Sequence, residues 1–440
     1  MTTGHSTKST SGGGRRLTLP HLLVRLFVML AALAALDAGI NAYQHNSHRY
    51  DDDWRLPVTM PMAELPGYVD HIVGLPRDAS RPVVLFLGAS PTWGAMNSDS
   101  HHTYPAVFGR TARAAGVDAR VYNLGADGAL VSDDYFIADR LAGSADLMVV
   151  QLTYQTFNPA ARIAGDLRFP ELPRVLGEPV SGQVASTLGI TRTRPFNLSG
   201  AVDRTLGRFW TLFREHDALA ARLFGRPPQE ELFARWQKLT RTAPRQLKAV
   251  APPPVNVAFD DLEPSEQELI VHRYSDYSHF RISPADSEMR MLDLLCADLQ
   301  RRHTRAVFFL SPLDREVLEG SGVLNRKQYD ANAAAIRAVV ERHGLTFIDW
   351  NQPGLALPSS AFADMTHTTD AGSALFARRL YARLAPLLRG GAAGGGAEAG
   401  GAAGGGAAAS GAAGGGAAAS GAAGGGAAAS PAASPPGSTP

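Results

Sequence analysis

Five short apolar runs, each stopped by a turn and separated by helix-length segments, constrain this chain more than any other feature. They are "RPVVLFLG" (81–88), "ARVYNLG" (119–125), "ADLMVVQLT" (145–153), "RAVFFLSP" (305–312) and "LTFIDW" (345–350). Runs of this length, rich in Val, Leu, Ile and Phe and without polar alternation, suit strands buried on both faces. Between them lie segments with helical apolar spacing: 100–116, closed by Gly116; 133–143, ending at Gly143; 283–303; and 326–344, ended by Gly344. In the third, Ser283 is placed to cap and Pro284 to occupy the first turn. A final amphipathic helix covers 368–388. Strand and helix alternate, so the expected fold is α/β, a three-layer domain with a five-stranded parallel sheet. Ligands on such sheets gather at the carboxyl ends of the strands.

The rhythm fails between about 155 and 281. There "ALAARLF" (218–224) and "EELFARWQKLTR" (230–241) look helical, separated by proline-rich pieces such as "APPPVN" (251–256). No strand–turn–helix unit recurs, so the segment reads as a helical insertion after the third strand. From Gly390 to Pro440 the chain is almost wholly Gly, Ala, Ser and Pro, without the large apolar side chains that offset chain ordering, and a disordered tail is expected. The domain proper then runs from 43 to 388, about 340 residues, one large domain with an insertion.

Residues 22–40, "LLVRLFVMLAALAALDAGI", are interrupted only by Arg25 and Asp37. A bilayer core takes ~20 apolar residues as a helix, so this stretch is long enough if Arg25 snorkels to the interface. Lys8, Arg15, Arg16 and Arg25 lie on its N-terminal side and "DDDWR" beyond it, which makes 1–21 a cytoplasmic leader and sends the rest across. Three readings stand: a retained signal anchor, a signal peptide cleaved near Ala32, Ala34 or Ala38, and a buried core helix. Under the first two the main domain works outside the cytoplasm, in the periplasm or at the cell surface.

Charge gives little away. There are 42 Lys and Arg against 41 Asp and Glu, so no basic field points to nucleic acid. Cys296 is the only cysteine, which excludes an intramolecular disulfide and any multi-thiolate zinc site. Its setting, "LDLLCADL", has helical apolar spacing and suits a buried structural thiol.

Chemistry concentrates in two loops. "LGASPTWG" leaves the first strand with small residues at Gly88 and Ala89, which let the backbone turn sharply and expose Ser90. "DMTHTTDAG" follows the fifth strand with Asp364 and His367 three residues apart. A serine hydroxyl is a poor nucleophile until a base takes its proton, and a neutral imidazole needs a partner to fix its tautomer. Ser90, His367 and Asp364 can supply these roles together. Taken separately, each loop also reads as an ordinary turn serine or a capped helix start with a solvent-facing histidine. His101 and His102 follow Ser90 closely, but adjacent histidines point different ways, so metal ligation is remote and no metal or cofactor is expected.

Both loops match one superfamily. "GASPTWG" resembles the Gly-Asp-Ser-Leu-Thr-x-Gly block of SGNH/GDSL hydrolases in Gly88, Ser90, Thr92 and Gly94, with Ala89 replacing the family aspartate. "DMTHTTDAG" is similar to their last block, Asp-x-x-His-x-Thr-x-x-Gly, in Asp364, His367, Thr369 and Gly372. "VYNLGADGA" (121–129) resembles the second block, whose glycine amide helps form an oxyanion hole; Gly128 is the match and Gly125 its neighbour. The third block departs: where the family has Gly-x-Asn-Asp, this chain has Thr153, Tyr154, Gln155 and Thr156. Gln155 retains an amide donor on a longer arm, and Asn158 is a second candidate. Losing one such donor costs ~2.7–4 kcal/mol of transition-state stabilisation. The resemblance implies a three-layer, flavodoxin-like SGNH fold and an oxyanion hole from the amides of Ser90 and Gly128, helped by Gln155 or Asn158.

The helix at 22–40, the insertion and the layout of residues 308–350 are similar to membrane-anchored SGNH-like proteins of cell-envelope polymer acylation, such as the DltD family and the alginate acetylation proteins. That resemblance implies O-acyl transfer to or from an envelope polysaccharide through an acyl-Ser90 intermediate, beside a membrane-bound O-acyltransferase partner. The alternatives are an anchored or secreted esterase or lipase acting on an acylated small molecule, and a non-catalytic polysaccharide-binding module.

Overall fold

The computed structural model describes residues 19–46, 50, 53–57, 61–78, 80–158, 167–169, 172–178, 180–188, 210, 255–274 and 280–393. The chain divides into two units, Met1–Gly395 and Gly396–Pro440, and every described residue belongs to the first.

The five apolar runs form five strands: β1 (Val83–Leu87), β2 (Arg120–Asn123), β3 (Leu147–Leu152), β4 (Ala306–Leu310) and β5 (Thr346–Asp349). They pair in the order β2-β1-β3-β4-β5, every pair parallel. The domain is therefore the expected α/β fold. β1 to β4 are buried along their whole length, and only the edge strand β5 starts in an exposed position. Strand side chains alternate faces. Val84, Phe86, Val149 and Phe309 enter one core, and Leu85, Leu87, Met148 and Leu310 the other.

Among the described residues the helices are α1 (Leu19–Asn46), α2 (Pro61–Val73), α3 (Ser90–Trp93), α4 (Tyr104–Ala114), α5 (Val131–Leu141), α6 (Leu172–Val175), α7 (Gly182–Leu188), α8 (Pro264–Arg273), α9 (Ser287–Arg301), α10 (Arg315–Gly320), α11 (Arg326–Arg342) and α12 (Asp370–Ala393). α4 and α12 cover the first face, with Phe108 and Phe376 in its core. α5, α9 and α11 cover the other, where Phe136, Leu292 and Ile336 are buried. Cys296 on α9 lies in this second core, and burial pushes its thiol far up from the ordinary value.

Four boundaries differ from the sequence reading. The segment from Ser100 splits into a 3-10 turn (Ser100–His102) and α4, because Thr103 takes an extended conformation and caps Ala106 N–H. Pro105 then falls in the first turn of α4, where its missing N–H costs no intrahelical bond. α9 starts at Ser287, not near Ser283: the Asp286 carboxylate accepts the Ser283 N–H at 2.7 Å, which holds 283–286 as a turn and leaves Asp286 at the N-cap. α12 runs to Ala393, four residues into the expected tail. α1 extends beyond 22–40 at both ends. Its segment Leu23–Ile40 has a mean hydropathy of 2.1 and no buried residue, so it is long and apolar enough to cross a membrane, and the core-helix reading does not fit.

Within the insertion, the described residues hold short helical pieces (α6, α7, α8 and a 3-10 turn at Phe259–Asp261) and no strand. The segments 218–224 and 230–241, and the tail from 394, lie outside the described residues.

Candidate active site

In the strand order 2-1-3-4-5 the crossovers leave β1 in opposite directions, and the crevice they create lies at the carboxyl ends of β1 and β3. Ser90 sits there. β1 ends at Leu87, Gly88 takes φ +142°, and Ala89 is extended before the chain enters α3 at Ser90. Gly88 is required on two counts: its φ is open to glycine, and a Cβ would stand 2.5 Å from Gln151 Oε1.

The turn that carries Ser90 is braced on all sides. Gln151 Oε1, at the end of β3, accepts the Ala89 N–H (2.9 Å) and the Thr92 hydroxyl (3.1 Å). Asn123, at the end of β2, donates to Thr92 O at 2.8 Å. Thr92 Oγ1 and Tyr104 OH are 2.6 Å apart. Arg55 lies over the Trp93 ring and donates to Gly94 O at 2.8 Å. The buried Asp134 carboxyl accepts the Gly88 N–H; burial and the nearby Asp133 and Glu288 carboxyls raise it well above the ordinary carboxylate range.

On the other side, the loop after β5 folds back on itself. Phe362 and Thr368 form an antiparallel bridge, and Ala363 N–H donates to His367 O at 2.8 Å. Asp364 Oδ1 accepts the amides of Thr366 and His367, each at 2.8 Å, which locks its carboxylate toward the imidazole. Gly372 is needed where α12 begins, because a Cβ there would overlap the Ala361 carbonyl.

The two loops meet. His367 Nε2 is 2.8 Å from Ser90 Oγ, and His367 Nδ1 is 2.8 Å from Asp364 Oδ2 and 2.9 Å from Oδ1. With Nδ1 facing the carboxylate the proton belongs on Nδ1, and Nε2 offers its lone pair to the serine hydroxyl. Burial on its own would lower the His367 pKa. The Asp364 charge and hydrogen bond, with a smaller contribution from Asp127, outweigh it and the net shift is upward. Asp364 moves the other way: burial opposes its charge, but the His367 charge and hydrogen bond, with two backbone amides, hold it below the usual value.

Of the other residues singled out in the sequence, the Ser90 N–H stands at the first position of α3, where an amide has no intrahelical acceptor. Gly128 is half-buried on the β2–α5 loop, beside the Asp127 whose charge reaches His367. Gly125 is a packing residue: its N–H donates to Asn123 Oδ1, and a Cβ would stand 2.6 Å from Trp93 N. Gln155 is half-buried in the 3-10 turn after β3, with its Oε1 enclosed and without a hydrogen-bond partner. Asn158 ends that turn and is buried, its N–H donating to Gln155 O at 2.9 Å. His101 and His102 face separate carboxylates, Asp53 and Asp99, each at 2.8 Å.

Comparison with models of protein families and with curated proteins gives no match. Among solved structures, the chain is similar to an acetyl-xylooligosaccharide esterase from a Geobacillus (13% identity, 70% of this chain and 94% of that one, TM-score 0.32). It is also similar to a GDSL-like lipase from Bacteroides ovatus (14%, 71% and 55%, 0.31). A third likeness is LAE5, an alpha/beta hydrolase enzyme from the metagenome of Lake Arreo, Spain (12%, 70% and 98%, 0.34).

Gln151 and Asp134 escape a reading by motif. A signal for Gln151 exists all the same: it is the one amide in the otherwise apolar run "LMVVQL", at the carboxyl end of the strand beside β1. Asp134 looks like a helix-start acid, and only the fold brings it beneath Gly88.

Proposed function

We propose that this protein carries out serine-dependent acyl-ester chemistry. The observation that carries this reading is the unbroken chain Ser90 Oγ–His367 Nε2 and His367 Nδ1–Asp364, each link at 2.8 Å, at the carboxyl edge of the sheet. Ser90 Oγ attacks the ester carbonyl carbon while its proton passes to His367 Nε2. Asp364 stabilises the imidazolium that forms. The negative charge on the carbonyl oxygen faces the amides of Ser90 and Gly128, with Gln155 or Asn158 as a side-chain donor. Collapse breaks the ester C–O bond, His367 returns its proton to the leaving alkoxide, and acyl-Ser90 remains. An acceptor hydroxyl then gives its proton to His367, takes the acyl group and frees Ser90. No cofactor enters these steps.

The finer reading is transfer of the acyl group to a hydroxyl of a cell-envelope polysaccharide, outside the cytoplasm and beside a membrane-bound O-acyltransferase. Its support is the apolar α1, with basic residues before it and acidic residues after it, which suits a domain tethered across the membrane from its N-terminus. With water as acceptor the same steps make an esterase.

The test is labelling by a serine-directed fluorophosphonate together with turnover of a p-nitrophenyl acyl ester, in the wild type, Ser90→Ala and His367→Ala. Labelling that needs both residues is expected, and absence of Ser90-dependent labelling and turnover overturns the proposal. An acyl group recovered on added polysaccharide rather than as free acid separates transfer from hydrolysis.

A further inference from the structure

Arg168 belongs to a short described stretch of the insertion that is pinned to the domain at both flanks. Leu167 is buried in the core and Phe169 packs against it. The buried Asp133 carboxyl accepts the Phe169 N–H at 3.2 Å and the Arg168 N–H as well. Asp133 also caps α5 by accepting the Leu130 N–H at 2.9 Å, so one acid fixes both the helix behind Gly128 and the backbone that carries Arg168.

The exposed Arg168 side chain lies over Gly128. A Cβ built on Gly128 would stand 3.0 Å from Arg168 Nε and 3.5 Å from Cζ and Nη2. Gly128 has φ +75° and no side chain, so the guanidinium rests directly on the loop whose next residue back, Asp127, is felt by His367. Among the described residues no carboxylate forms an ion pair with this guanidinium. A planar five-donor fork resting on Gly128, one residue from the Asp127 that His367 feels, matches the two oxygens of a carboxylate or phosphate.

From this geometry we propose that Arg168 reads an anionic group on the ester substrate, a carboxylate or a phosphate close to the scissile acyl group. The inference rests on the acyl-ester reading above and names the substrate class of that same site. With the carbonyl oxygen toward the Ser90 and Gly128 amides, the part of the substrate beyond Gly128 meets Arg168. A neutral ester gains nothing there.

The test uses the full chain and three small esters: O-acetyl-lactate, its neutral isostere O-acetyl-lactamide, and acetylglycerol phosphate. The wild type is expected to favour at least one anionic ester over the lactamide, and the preference is expected to shrink as salt rises. Which anion is favoured tells carboxylate from phosphate. Arg168→Gln is expected to lower kcat/KM for that ester about tenfold, mainly through KM, and to leave the lactamide within about twofold, with Arg168→Lys in between. Equal rates on the charged and neutral esters in the wild type overturn the proposal. So does an equal fall on both in Arg168→Gln, which would make the guanidinium a donor to the oxyanion. If none of the esters turns over, fluorophosphonate labelling of Ser90 and p-nitrophenyl ester turnover judge the acyl-ester reading, and Arg168 is judged by calorimetry on the Ser90→Ala chain with lactate and glycerol phosphate. Anion binding that Arg168→Gln abolishes upholds it, and no binding of either anion overturns it.

Discussion

Asn97 Nδ2 donates to Ser373 Oγ at 2.9 Å, joining two residues 276 positions apart. Asn97 also donates to Asp370 Oδ1 (3.3 Å) and Thr368 O (3.4 Å), and Asp370 accepts from Ser98 N–H (3.0 Å) and the Ser98 hydroxyl (2.6 Å). These bonds tie the segment after Ser90 to the start of the helix after His367. The 2.8 Å serine–histidine contact is therefore held from outside the triad as well as within it.

Asn97→Ala removes the Asn97 part of that tie and leaves the buried Ser373 hydroxyl one partner short, while the Ser98–Asp370 bonds remain. Stability is expected to fall by ~1–3 kcal/mol. Ester turnover is expected to fall about tenfold or more, because a small misplacement of a base from its nucleophile is costly. Thermal denaturation and kcat on a p-nitrophenyl ester check the two effects separately.

Gln151→Leu tests the brace behind Ser90. The Ala89 N–H and the Thr92 hydroxyl would lose their buried acceptor, at a cost of ~1–3 kcal/mol. The chain is expected to remain folded, since leucine suits a strand buried on both faces, while fluorophosphonate labelling of Ser90 slows. A labelling rate equal to the wild type would show that Gln151 serves stability alone.

The raised pKa of His367 fixes the sign of the pH response. Only the neutral imidazole can take the serine proton, so kcat/KM is expected to rise as pH rises through a value above that of an ordinary histidine, near 6.5. Asp127→Asn removes one of the charges that favour the imidazolium. The acid limb of the pH–kcat/KM profile should then move to lower pH, measured against wild type in the same buffers.

Asp133 is fully buried, and burial raises its carboxyl to about 7, opposed by three backbone hydrogen bonds and assisted by Glu288. Its folded pKa lies above its unfolded one, so between about pH 4 and 7 the native state holds a proton that the unfolded chain releases. Stability is thus expected to fall as pH rises through that window, by an amount on the order of a few kcal/mol. Asp133→Asn should flatten the dependence, read as a smaller difference in Tm between pH 5 and pH 8. Asp134 and Glu288 lie in the same cluster and keep part of it.

The strands were legible because each is a run of apolar residues with no competing helical period, and burial on both faces writes itself directly into composition. That Ser90, His367 and Asp364 meet was legible for a different reason: their two loops resemble blocks of one superfamily, and both leave strands at the same edge of the sheet. The start of α9 was not, because Asp286 binding back to Ser283 competes with helix initiation and a propensity argument sees only the serine and proline. Asn97, Gln151, Asp134 and Arg168 were not legible either. Each acts through a partner distant in sequence, and such pairings exist only once the sheet has set the strand ends side by side.

The serine–histidine contact spans 277 residues of chain, with β1 at one end and the loop after β5 at the other. During synthesis Ser90 is therefore made long before the histidine it contacts, and until that loop docks its hydroxyl has no imidazole beside it. Under the proposed mechanism, chemical competence would arrive last, as a by-product of completing the sheet, and a chain cut short before Asp364 would carry a serine that nothing has switched on.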